Sequence, residues 1–132
     1  MFAAMTGERT LTELDFARLM LRGGQLPAEL ESSFEFLRVV ASRDIPADVI
    51  TMYSQVEIVD PLSQRRQKLT ICYPRDAEPA LGFISVLSPV GASLLGLRIG
   101  DTAHWRTPAG DLCTAEVTAL LFQPEASGDY TT

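Results

Sequence analysis

Long apolar runs are missing from this 132-residue chain, and with them any segment near the roughly 20 residues that a membrane-spanning helix needs. Basic residues are scarce too: 11 Lys and Arg stand against 17 Asp and Glu, a formal net charge of −6. Gripping a nucleic-acid backbone draws on Lys and Arg to displace counterions, so this balance argues against direct nucleic-acid binding. It suits a soluble protein with a basic partner. The first residues, Met1 to Thr10, lack the basic-then-apolar order of a secretory signal. Only two cysteines occur, Cys72 and Cys113, each in a strand-like run with no second Cys or His beside it. They read as buried thiols in a reducing cytoplasm, with neither metal spacing nor a disulfide framework.

Reactive groups are equally thin. The single histidine, His104, sits on the polar face of a strand beside Trp105, and a lone imidazole there is more often incidental than a general base. Any Ser–His pair would have to use it, and no serine is placed near it. Gly91, Gly96 and Gly100 make no phosphate loop, because no Gly-Lys-Ser/Thr follows and the dinucleotide spacing is absent. The cluster Arg65, Arg66 and Lys68 reads first as a solvated turn and second as a patch for an acidic partner. No catalytic residue, metal ligand or cofactor is expected.

What is there looks globular: 46% of residues are hydrophobic and 21% charged, enough for one core or a small domain with an appendage. Leu14, Ala17 and Leu21 recur at helical spacing, thickened by Phe16, Leu19 and Met20, with Thr12 or Asp15 as the cap and Gly23-Gly24 as the stop. Pro27 suits the first turn of a second helix, along which Leu30, Phe34, Leu37 and Ala41 form a seam. Two helices joined by about five residues would make an antiparallel αα-hairpin. Ile45-Pro46 ends it, and residues 1–46 and 47–132 read as separate units.

Beyond Pro46 the period changes to two. Met52, Ser54, Val56 and Ile58 alternate with Tyr53, Gln55, Glu57 and Val59, and Leu69, Ile71 and Tyr73 alternate again. Phe83 to Leu87 predicts a central strand covered on both faces. Val90 to Leu95 predicts a short helix, opened by Pro89 and closed by Gly96. Ala103 and Trp105 share one strand face, Pro108 to Asp111 is a turn, and the last strand sets Ala115, Val117, Ala119 and Leu121 inward against Thr114, Glu116, Thr118 and Leu120. The expected class is α+β, a helical hairpin followed by about five strands around one short helix.

The stretch Ile84 to Asp101, with Ser88-Pro89-Val90-Gly91 at its centre, and the turn Thr107-Pro108-Ala109-Gly110 resemble the C-terminal domain of the bacterial Gre transcription factors. Asp48 to Met52 and Gln123 to Tyr130 resemble a short branch of that family, the regulators of nucleoside diphosphate kinase. The resemblance is specific over Asp48 to Tyr130 and architectural before it. It implies an FKBP-like sheet behind a coiled-coil hairpin, and docking at the rim of the RNA polymerase secondary channel with the polymerase's own coiled coil as partner. The contact region it implies contains Ser88 and Pro89, and an apolar patch at Leu87, Val90 and Leu94 would serve helix recognition. Leu87 stands where some Gre proteins carry an acidic residue.

Gre factors stimulate transcript cleavage with acidic side chains at the hairpin tip, which help to hold a magnesium ion in the polymerase. The corresponding tip here, Gly23, Gly24, Gln25 and Leu26 with flanking Arg22 and Pro27, carries no carboxylate. A hard cation needs clustered oxygens, so the expectation is a non-enzymatic polymerase regulator that competes with Gre factors without stimulating cleavage. Two other readings follow from the resemblance. A peptidyl-prolyl isomerase would need an aromatic-lined pocket, whereas Tyr53, Tyr73, Phe83, Trp105 and Phe122 are dispersed and read as core and cross-strand packing. A direct modulator of nucleoside diphosphate kinase is the other, but the sequence shows no kinase-like phosphate site, so any such effect is expected to arise through transcription.

Overall fold

The computed structural model describes residues 9–22 and 37–130. Its centre is a five-stranded sheet in the order β5-β4-β3-β7-β6, formed by β3 (Gln55–Val59), β4 (Arg66–Cys72), β5 (Phe83–Ser85), β6 (Thr102–Arg106) and β7 (Leu112–Phe122). All pairings are antiparallel except β4 with β5. A second, two-stranded parallel sheet joins β1 (Arg9–Thr12) to β2 (Leu37–Val40). Among the described residues the α-helices are α1 (Glu13–Met20) and α2 (Pro89–Leu94). Among the described residues no helix is long and apolar enough to cross a membrane.

The antiparallel helical hairpin is overturned. Leu37, placed on the seam of its second helix, opens strand β2, whose four residues pair in register with Arg9 to Thr12. Leu37 fits a helical period, but Val39 and Val40 are β-branched, and the β1 backbone offers the pairing that decides the matter. The rest of that expected helix, 27–36, and the tip residues Gly23, Gly24, Gln25 and Leu26 lie outside the described residues. In α1 the buried positions are Asp15 and Leu19, four apart, with Phe16 packed beside them. Leu14, Ala17 and Leu21 are not the buried stripe: Leu21 sits past the helix end and is 87% exposed. Thr12 is the cap, its Oγ1 accepting from Asp15 N–H at 3.0 Å.

One face of the main sheet and the inner side of α2 form the core. Val56, Ile58, Leu69, Ile71, Ala103, Ala115 and Val117 meet Val86, Ala92, Leu94, Leu95 and Leu97, and Leu11 and Leu19 join the same cluster. Two expectations within the sheet need correction. Phe83 to Ser85 is an edge strand, not a central one, and Phe83 is exposed. In β7 the inward alternation holds at Ala115 and Val117 and then reverses, so that Leu120 packs against the core while Leu121 is 46% exposed. The register shift opposite Glu57/Ile58 explains this, and a second one opposite Gln55/Val56 follows it. Each bulge inserts one unpaired residue and so exchanges the two faces of the strand.

Candidate docking site

Ser88, Pro89 and the start of α2 form a tightly held corner at the end of β5. Ser88 caps the helix: its Oγ accepts from Gly91 N–H at 3.1 Å and its hydroxyl donates to Ser85 O at 2.6 Å. Pro89 takes the first helical position, where no N–H is needed. Leu87 N–H donates to Ser85 Oγ at 3.0 Å, so both serines are engaged in shaping the turn. Gly91 is required by contact: a Cβ there would lie 2.1 Å from Ser85 O. The helix is pressed onto the strand end more closely than any side chain permits.

The other end of α2 is held from far away in sequence. Arg9, on β1, donates through Nη1 to Ala92 O at 2.6 Å and Leu95 O at 2.9 Å. These are carbonyls that a helix C-terminus leaves without partners. Burial pulls the Arg9 guanidinium down to about 10, against the opposing pull of Asp101. Gly96 follows at φ +85°, where a Cβ would meet Arg9 Cβ at 3.0 Å. No local pattern marks Arg9; its role exists only because β1 runs past α2.

Of the residues expected in the contact patch, Pro89 is exposed, Leu87, Ser88 and Val90 are half-buried, and Leu94 is fully buried. Leu94 anchors α2 in the core. Leu87 and Val90 share their surface between that core and solvent. The corner presents a proline with two aliphatic side chains beside it and no free polar group on Ser88.

The two segments that carried the narrower resemblance touch each other. Gln123 Nε2 donates to Pro46 O at 2.8 Å and Val49 O at 2.7 Å. Thr51 Oγ1 donates to Glu125 Oε1 at 2.7 Å, and Ser54 Oγ accepts from Thr51 N–H at 2.9 Å. Nearby, Asp15 Oδ2 accepts from Met52 N–H at 3.1 Å. Burial, helped by the charge of Glu125, pushes the Asp15 carboxyl up to about 6, against the lowering effect of that hydrogen bond. These residues close the chain's end onto the segment before β3.

A depression of about 580 Å³ is lined by Ile58, Leu62, Arg65, Trp105, Leu112 and Cys113, among others. Among the described residues Trp105 is its only aromatic lining residue. Tyr53 and Tyr73 pair instead with each other at 5.9 Å, and Phe83 and Phe122 are exposed rather than packed in the core. Arg65 and Arg66 border the depression, Arg66 pairing with Glu57 at 3.0 Å. Cys72 is buried, but Cys113 is only half so, because it lies beside this opening; both are free thiols. His104 is exposed opposite Thr114. Among the described residues no cluster of His, Cys, Asp and Glu could hold a metal ion.

The family description "Transcription elongation factor, GreA/GreB, C-term" matches residues 45–121, more than half of the chain. The chain belongs to the GreA/GreB family. It is 38% identical over 101 residues to the regulator of nucleoside diphosphate kinase of Escherichia coli K12, covering 76% of this chain and 74% of the relative. It is 32% identical over 111 residues to the transcription elongation factor GreA of Solidesulfovibrio magneticus, covering 82% and 68% respectively. Among solved structures, the prokaryotic GreA/GreB elongation factor from Nitrosomonas europaea superposes with a TM-score of 0.70 at 32% identity, over 87% of this chain and 98% of that one. The matched relatives are transcription factors and regulators. The matched span contains the whole corner from Ser85 to Gly96, and it stops just before the Gln123 clamp.

Proposed function

We propose that this protein is a non-enzymatic regulator of transcription that binds RNA polymerase in the cytoplasm, docking at the secondary-channel rim through the corner at Leu87, Ser88, Pro89 and Val90. The observation that carries this reading is the construction of the corner. Ser88 and Gly91 hold Pro89 outward on a helix fixed at both ends, inside the span that matches the GreA/GreB family. A preformed apolar surface of this kind loses little freedom on binding a helix. The polymerase's own coiled coil is the partner in this reading. Leu87, in place of an acid, shifts the contact from charge toward apolar packing.

The segment 22–27 offers no carboxylate to a metal ion, so the reading includes competition with Gre factors without stimulation of transcript cleavage. The name of the E. coli relative points to nucleoside diphosphate kinase. In this reading any effect on such a kinase arises through transcription. Co-purification with core polymerase, repeated with excess Gre factor and with Pro89→Asp, tests the proposal. Binding should be lost in the variant and displaced by the competitor. Retention in both experiments, or no binding by the unaltered chain, would sink it.

A further inference from the structure

A second recess, of about 360 Å³, is lined by Arg18, Leu21, Arg22, Tyr73 and Arg75, none of them part of the corner. Three arginines around one opening are out of keeping with a chain of net charge −6. Arg22 lies over the Tyr73 ring, its guanidinium 5.5 Å from the ring centre. The Tyr73 hydroxyl is buried and makes no hydrogen bond of normal geometry among the described residues, although Arg18 is a nearby donor. A phenol that accepts from arginine still has its own O–H to give. Two carboxylates stand close: Asp15 acts on Tyr73, and Asp76 holds the Tyr53 hydroxyl and lies 3.8 Å from Arg75. Among the described residues, three guanidiniums and two carboxylates stand around this opening.

Helix-dipole compensation accounts for Arg18 and Arg22, which flank the last turn of α1. It does not account for Arg75, which arrives from the turn after β4, nor for the unspent phenol between them. We propose that this recess is a binding site for the phosphoryl group of a small phosphorylated ligand. Planar guanidinium forks match phosphate oxygens, and the recess lies at the small end of the range of ligand cavities. Arginines arriving from two segments can also reach the several oxygens of a phosphoryl group, more than a carboxylate offers.

The test is calorimetric titration and thermal shift with inorganic phosphate, pyrophosphate and ADP, each against potassium chloride at equal ionic strength. Saturable binding of at least one of the three is expected, with a raised Tm. Tighter binding of ADP than of pyrophosphate would show that the phosphoryl group belongs to a larger ligand, and the reverse that it enters free. Arg22→Gln and Arg75→Gln should each weaken binding about tenfold or more without lowering the Tm of the unliganded protein. Arg75 is a suitable probe because its side chain is 80% exposed and carries little of the fold. Tyr73→Phe should weaken binding less. Shifts no larger than those from chloride, or affinities unchanged in both arginine variants, would overturn the proposal. So would a single-stranded RNA oligomer that binds more tightly than all three probes and depends on the same arginines.

Discussion

Gly91 and Asp15 are each held in surroundings that their side chains alone would not suggest. With Ser85 O at 2.1 Å from an added Cβ, Gly91→Ala forces α2 off the strand end. Urea denaturation should show a loss of about 3 kcal/mol, at the upper end for overpacking. Asp15 is buried with one carboxylate oxygen making no hydrogen bond among the described residues, and its carboxyl is raised from 3.8 to about 6. A raised carboxyl favours the protonated folded state, so the burden is full above pH 6 and is relieved as pH falls toward 4. Relative to Asp15→Asn, the unaltered protein should gain about 1 kcal/mol of stability between pH 7.5 and pH 5. An equal pH response in both would remove Asp15 as its source. In sequence Asp15 lies between Leu11 and Leu19 at four-residue steps, the one signal that an acid shares their buried face.

At the scale of elements, two devices set the surfaces. The first bulge in β7, opposite Glu57/Ile58, turns Leu120 inward and Leu121 outward, which no alternation rule could anticipate, since the extra residue is defined only by pairing with β3. Leu120→Asp should cost about 3 kcal/mol or more and Leu121→Asp about 0.5 kcal/mol or less in thermal unfolding. The reverse order would mean that the register is wrong. The second device is Arg9, which ties β1 to the C-terminal carbonyls of α2. Arg9→Ala leaves two buried acceptors without a donor and should lower stability by about 2–3 kcal/mol. Hydrogen exchange should quicken at Leu95 and Gly96 before it does in β3 and β7. The helix start at Pro89 was legible because it is local, a proline just ahead of a short apolar run. The clamp at Arg9 was not, because 83 residues separate donor and acceptor.

For the molecule as a whole, the sheet and α2 form one apolar core to which Leu11 and Leu19 also contribute. The chain's end is fastened to it by Gln123 and Glu125. Gln123→Ala should lower the unfolding midpoint, removing two hydrogen bonds at a cost of about 2 kcal/mol, and leave polymerase binding otherwise intact. Pro89→Asp should do the opposite, preserving the midpoint and abolishing co-purification. A variant pair that failed to separate in this way would mean that fold and docking share one surface.

Read without coordinates, the chain already determined its β-rich centre, the short helix after Ser88-Pro89 and the family to which it belongs. Those signals are carried by neighbours a few residues apart: a period of two, a cap and a run of matched residues. Tertiary structure decided the rest. Strand β2 replaced the end of an expected helix because β1 was there to pair with it, and the edge position of β5 followed from sheet order. The arginine recess required α1 and the turn after β4 to meet. Each depends on contacts between distant segments, which hydrophobic periodicity does not encode.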